Sequence, residues 1–187
     1  MAIRDPGKLR IIGGTHRSRV IEFDPKSGVR PTPDRVRQTL FDWLMPVIEG
    51  AKCLDLFAGS GALGFEAISR GADKAVFVET GRRQTELIRA NLARLRAEPH
   101  AEVMPTDAIT YLELTPLRFD LVFLDPPYDT DLLTRALPLL VSRLAPVNRI
   151  YLEWREGAKP AMPAGYGWLR EKQAGQVCFG LAAFEKH

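Results

Sequence analysis

From Lys52 onward the chain alternates short apolar runs with longer amphipathic stretches, and this pattern constrains its fold more than any other feature. Runs such as Ala75-Val-Phe-Val78 and Phe119-Asp-Leu-Val-Phe-Leu124 are apolar at nearly every position. A strand covered by helices on both faces reads this way, whereas a half-solvated strand alternates. The spacing predicts strands near 52–57, 74–79, 101–106, 119–124 and 148–153, with helices near 61–70, 81–96, 107–113 and 129–145. Such βα alternation demands right-handed crossovers, so the expected fold is α/β, a Rossmann-like, doubly wound, mostly parallel sheet. The end departs from this: 166–173 and 176–185, around Ala174-Gly175, read as an antiparallel hairpin.

Ahead of the alternation lie two short apolar runs, 9–12 and 20–23, separated by Gly13-Gly14 and basic residues. They predict a hairpin or loose β arm. Pro31 and Pro33 then punctuate the chain. A helix is expected over 33–48, with Thr32 as N-cap and Pro33 in the first position. Val36, Leu40, Phe41, Leu44, Val47 and Ile48 share one helical stripe, which reads as core. The chain thus divides into a small N-terminal β extension, 1–32, and a main domain, 33–187, a length that suits one core without disulfides or metals.

Charge is uneven. Residues 1–40 hold nine Lys or Arg against four acids, while the chain as a whole carries only +3. A basic arm on a near-neutral body suits a phosphate-backbone partner, but charge alone leaves a plain solvated surface equally open. Cys53 and Cys178 lack flanking His or Cys, so they read as small buried hydrophobes of a reducing compartment and no metal is expected. No secretory signal or membrane-length apolar run is visible, which makes the cytoplasm the expected location. His16, His100 and His187 show no spacing that demands a role.

The segment Asp55-Leu-Phe57-Ala-Gly59-Ser60-Gly61-Ala-Leu-Gly64 follows the first strand of the alternation and opens a helix. Glycines 59, 61 and 64 satisfy G-x-G-x-x-G, a turn that lets backbone approach a ligand. Glu79 ends the next strand, and its carboxylate suits the two hydroxyls of a ribose. Both NAD and S-adenosylmethionine carry such a ribose. Asp55 shifts the balance: a carboxylate repels a pyrophosphate but favours an ammonium and a sulfonium. Asp107, followed by Ala108, ends the third strand near the same edge, where it suits either an adenine amine or a helix cap.

Asp125-Pro126-Pro127-Tyr128 closes the apolar strand 119–124. The two prolines stiffen the loop and remove two backbone donors, so it presents acceptors. An aromatic amine is a poor nucleophile because its lone pair is delocalised into the base. Two acceptors on its N–H groups, the Asp125 carboxylate and the Pro126 carbonyl, would aim that lone pair at a methyl carbon. Tyr128 offers a ring for stacking an extruded base. A dehydrogenase has no evident use for this tetrapeptide. The bland alternative is a rigid turn with Asp125 as a cap.

The two motifs together resemble the class I amino-methyltransferases. Leu9-Arg-Ile-Ile-Gly-Gly14, Arg30-Pro-Thr-Pro-Asp-Arg-Val-Arg37, Leu40-Phe-Asp-Trp-Leu44, Ala67-Ile-Ser-Arg-Gly-Ala72 and Arg170-Glu-Lys…Gly175 extend the likeness to one family, the bacterial 16S ribosomal RNA guanine-N2 methyltransferases (RsmD). The resemblance implies a class I methyltransferase that uses S-adenosylmethionine to methylate the exocyclic N2 amine of a guanine in 16S rRNA of the small subunit. It implies Asp125, Pro126, Pro127 and Tyr128 as the catalytic loop. It also implies Asp55, Phe57, Gly59, Ser60, Gly61, Glu79, Asp107 and Ala108 at the cofactor. The basic arm then becomes an RNA-contacting arm, with Arg10, Arg17, Arg19, Arg30 and Arg37 on phosphates. A monomer is expected. Two departures stand out: Gln38 replaces the usual Glu, and Tyr128 stands where Phe is common. The rivals are a DNA adenine-N6 methyltransferase and a non-catalytic RNA-binding ribosome-assembly factor.

Overall fold

The computed structural model describes residues 5–28 and 30–185; the first four residues of the expected N-terminal extension, Val29 and His187 lie outside the described residues. The sheet has seven strands: β3 (Lys52–Asp55), β4 (Lys74–Val78), β5 (Ala101–Met104), β6 (Phe119–Leu124), β7 (Leu144–Arg155), β8 (Tyr166–Ala174) and β9 (Val177–Phe184). Their order is β5-β4-β3-β6-β7-β9-β8. Pairing is parallel from β5 to β7 and antiparallel for β7-β9 and β9-β8. The chain first steps outward from β3 through β4 to β5, then returns to β6 on the other side of β3. The boundary between β3 and β6 is therefore the switch point, where an open α/β sheet leaves a crevice at the strands' carboxyl ends.

Helices α2 (Ala62–Ser69), α3 (Arg82–Leu95), α4 (Ala108–Leu114) and α5 (Leu132–Leu140) connect the strands, with α1 (Asp34–Leu44) ahead of β3. Two apolar clusters cover the two faces. One joins α1, α2 and α3 to Cys53, Phe77, Phe123 and Tyr151. The other joins α4 and α5 to Leu54, Val76, Val122 and Leu152. The alternation of these strand residues between clusters explains the unbroken apolar runs. Among the described residues no helix is long and apolar enough to cross a membrane.

Local chemistry moved several boundaries. Helix α1 begins at Asp34, after Pro33 rather than Thr32 as N-cap, and ends at Leu44, because Met45 is followed by Pro46. The helix expected over 129–145 is only α5 plus a 3₁₀ turn, Val141–Arg143; Pro138 removes one of its backbone donors. The chain then enters β7 at Leu144, earlier than expected, and a register shift follows between Phe119 and Leu121.

The arm is not loose. β1 (Gly7–Arg10) and β2 (Val20–Phe23) form an antiparallel pair, and Ile11 and Ile21 are buried in the first cluster. Asn91 and Gln84 of α3 accept the Glu22 and Asp24 N–H groups at 3.0 and 2.8 Å. Glu66 of α2, fully buried, accepts the Ile12 and Gly13 N–H groups at 2.9 and 2.8 Å.

Candidate active site

The glycine turn and the Asp125 loop leave the sheet side by side. Asp55 and Phe123 are register partners on β3 and β6, and the Leu56 N–H donates to the Phe123 carbonyl at 3.2 Å. Both loops therefore open into the switch-point crevice. The Asp55 carboxyl is buried and accepts the Gly64 N–H at 3.0 Å, so it ties the end of β3 to the first turn of α2. Burial, with Asp125 and Glu79 nearby, pushes it up to about 8 against the pull of the Gly64 bond.

The turn uses its glycines for two different reasons. Gly61 has φ +76°, which side-chain-bearing residues rarely adopt. Gly64 is needed for room: a Cβ there would lie 2.3 Å from the Phe77 ring, so α2 packs directly on β4. Ser60 is buried and its hydroxyl accepts the Ala62 N–H at 3.3 Å; Phe57 is half-buried. Glu79, at the end of β4, accepts the Gly59 N–H at 2.9 Å and the Gly81 N–H at 2.7 Å. Each carboxylate oxygen retains a lone pair for a further donor. Asp107 caps α4 by accepting the Thr110 N–H at 2.9 Å, which holds its carboxyl below the usual range, and Ala108 is buried behind it.

On the other side of the crevice, Pro126 is buried and Pro127 exposed, and the Pro127 carbonyl accepts the Thr130 hydroxyl at 2.8 Å. Tyr128 is 41% exposed, and the Arg155 guanidinium sits over its ring at 5.0 Å. Arg155 also reaches Asp129 at 3.6 Å, so the end of β7 pins the loop at two points. Burial, with Glu153 and Asp125 close by, pushes the Tyr128 hydroxyl up to about 12.

Sequence reasoning missed Glu153. It lies on β7, is 5% exposed and contacts the Asp125 carboxyl. Burial foremost, then Asp125, pushes it up to about 9. The available signal was the one that singled out Asp125: an acid ending a buried run at this edge. Asp55, Glu79, Asp125 and Glu153 converge on the crevice, and among the described residues none of them has an ion-pair partner. Uncompensated carboxyls in a crevice suit a cationic ligand and disfavour a pyrophosphate.

One expected phosphate contact is withdrawn. Arg37 is 1% exposed; its guanidinium donates to the Thr32 carbonyl at 3.2 Å, the Arg10 carbonyl at 3.0 Å and Glu66 at 3.5 Å, and it also bonds Asp34. It is a strut between α1, α2 and the arm. Arg10, Arg17, Arg19 and Arg30 are exposed. Gln38 bonds Asp42 at 2.7 Å on the surface of α1.

The fold and this crevice define the class: a Rossmann-like class I methyltransferase. A solved Escherichia coli protein, yhhF, described as a methyltransferase, superposes with a TM-score of 0.87 at 43% identity, over 97% of this chain and all of that one. The "Ribosomal RNA small subunit methyltransferase D" of Escherichia coli K12 is 44% identical over 178 residues, 94% of this chain and 89% of its own. Its Haemophilus influenzae counterpart of the same name is 40% identical, over 94% and 93%. The model of the family described as "Conserved hypothetical protein 95" matches residues 9–183, and the chain belongs to that family.

Proposed function

We propose that this protein methylates the exocyclic N2 amine of a guanine in 16S rRNA of the small ribosomal subunit, using S-adenosylmethionine. The observation that carries the reading is the adjacency of the glycine turn after β3 and the Asp125 loop after β6 at one switch point. The relatives' names supply the rRNA; the chemistry of the loop supplies the amine. Since ribosomal subunits are cytoplasmic, the reading places the enzyme there, acting as a monomer.

Glu79 and the backbone of Gly59, Ser60 and Gly61 would hold the ribose and amino-acid portions of the cofactor. Phe57 and Ala108 would line the adenosine, and Asp107 would accept from its amine. Asp55, held protonated by its burial, would gain its charge beneath the turn once the cationic cofactor lies beside it. When bound, S-adenosylmethionine supplies a methyl group on a cationic sulfur, which departs as a neutral thioether. The Asp125 carboxylate and Pro126 carbonyl accept the two N–H groups of the amine and aim its lone pair; Asp125 then takes the proton that the methylated amine must shed. Pro127 stiffens the loop, and Tyr128 stacks on the extruded base. Arg10, Arg17, Arg19 and Arg30, on the arm and the segment after it, would contact phosphates and so position the RNA without reading sequence.

The test is transfer of tritiated methyl to small subunits from cells lacking the modification, with DNA as the competing substrate. Label should enter one guanine of 16S rRNA. Asp125→Ala should lower the rate by about 10²–10³, the usual cost of losing one preorganised partner of the reacting group, with cofactor affinity in calorimetry retained. Label in DNA alone would overturn the reading.

A further inference from the structure

Beneath the Asp125 loop, three elements bring polar groups together in an otherwise apolar layer. Strands β6 and β7 run in register, with Phe123 beside Tyr151 and Leu124 beside Leu152. The next pair in line is Asp125 and Glu153. Glu153 faces the same side of the sheet as Tyr151 and its β9 partner Phe179, under α1. Thr32, buried in the segment that leads into α1, reaches the Glu153 carboxyl. The Tyr151 hydroxyl is buried beside Glu153 yet closes no well-formed hydrogen bond among the described residues.

Two carboxyls in contact in this layer, neither with an ion-pair partner among the described residues, cannot both stay ionised; such a pair shares one proton. The titratable groups that face Glu153 are Asp125 and Tyr128 from the loop and Tyr151 from its own strand. Neutral Thr32 and apolar Phe179 complete its surroundings. Glu153 is the less exposed of the two carboxyls: it lies within β7 at 5% exposure, while Asp125 follows the end of β6 and is only half-buried. Resting on the reading of Asp125 as the acceptor for the substrate amine, we propose that Glu153 is a positioning residue of the transfer site: its carboxylic acid donates its proton in a hydrogen bond to Asp125, which keeps Asp125 ionised and fixed, with an oxygen left to accept from the amine. Thr32 and the Tyr151 hydroxyl stand close to the Glu153 acid as its nearest further donors. The Arg30-Pro-Thr-Pro33 stretch thereby gains a role at the site through Thr32, separate from any phosphate contact by Arg30.

The proposal distinguishes a donor at position 153 from mere bulk. Glu153→Gln keeps an N–H donor toward Asp125, so transfer near neutral pH should stay close to that of the unaltered enzyme. Its alkaline fall should vanish, because no acid remains to ionise. Glu153→Ala should lower kcat by about 10²-fold, the scale of a misplaced reacting group, with KM for the subunit held. Equal losses in the two variants would overturn the proposal, as would an alkaline limb that survives in Glu153→Gln. A readout independent of turnover is carboxyl ¹³C NMR of the glutamate-labelled protein without ligands, assigned by loss of the signal in Glu153→Gln. The Glu153 resonance should report a protonated acid at neutral pH; a resonance already ionised there would sink the proposal. Failure of the unaltered enzyme to label any subunit would instead strike the reading of the reaction, and leave the NMR result standing on its own.

Discussion

Two acidic centres lie on the α1–α2 face of the sheet, and they are built on opposite principles. At the seam with the N-terminal arm, Glu66 is fully buried and fully matched: two backbone N–H groups, Arg70 at 2.8 Å and Arg37 at 3.5 Å surround it. At the switch-point crevice, Asp55, Asp125 and Glu153 converge with few donors and no ion pair among the described residues. The first arrangement spends its electrostatics within the fold and holds the arm, α1 and α2 in one body. The second leaves its electrostatics for something that must arrive. Burial of a carboxyl therefore says little by itself; its partners separate a structural clamp from a site.

The largest expected effect tests the clamp. Glu66→Ala strips the partner from buried Arg37 and Arg70 and frees two backbone donors, and removal of one side of a buried pair costs about 3–5 kcal/mol. Urea denaturation should show that loss, and proteolysis should release the arm first. A loss below that of an ordinary surface substitution would show that the seam does not depend on Glu66, and the contrast would collapse.

The next effect tests the crevice by pH. In an unfolded chain the Asp55 carboxyl ionises near its reference value of about 3.9, whereas folding pushes it up to about 8. Between those values the folded state binds the extra proton, so stability falls as pH rises through the window, by at most about 1.4 kcal/mol per pH unit for each such group. Below the window no such loss applies. Denaturation midpoints measured from pH 5 to 8 should therefore decline, and Asp55→Asn should flatten the decline. An unchanged slope in that variant would mean that Asp55 is ionised throughout and that its Gly64 bond outweighs its burial.

What could be read from the chain alone follows from range. The βα order, the glycine turn and the Asp125 loop are carried by neighbouring residues, and apolar periodicity exposes them directly. The crevice between the two loops does not follow from the chain alone: crossover handedness ties a helix's face to the direction of its step, and only the observed order β4-β3-β6 sets the two loops side by side. Arg37 reads wrongly for the opposite reason. In sequence it is one more arginine in a basic stretch, and contacts the sequence does not display, to the Arg10 carbonyl and to Glu66, 29 residues on, turn it inward. Glu153 was hidden in the same way: within Ile150-Tyr-Leu-Glu-Trp154 it reads as a strand end, and its meaning depends on the register that sets β7 against β6. Thr32 reads as a helix cap because the motif fits, yet Pro33 takes the cap position.

The smallest effect on stability should come from Asp125, and this makes it the sharpest comparison with Glu66. Burial raises the Asp125 carboxyl, so the fold bears a cost for keeping a charge there. Asn keeps the shape, accepts through its carbonyl and donates to Glu153 through its amide. Asp125→Asn should therefore leave the urea midpoint at pH 7 unchanged or raise stability by up to about 1 kcal/mol, as removal of a strained site residue often does, while transfer to the subunit collapses. Glu153, given a donor in place of an anion, should then titrate lower. A loss of stability comparable to that of Glu66→Ala would place Asp125 among the structural clamps, and the division between the two centres would have to be redrawn.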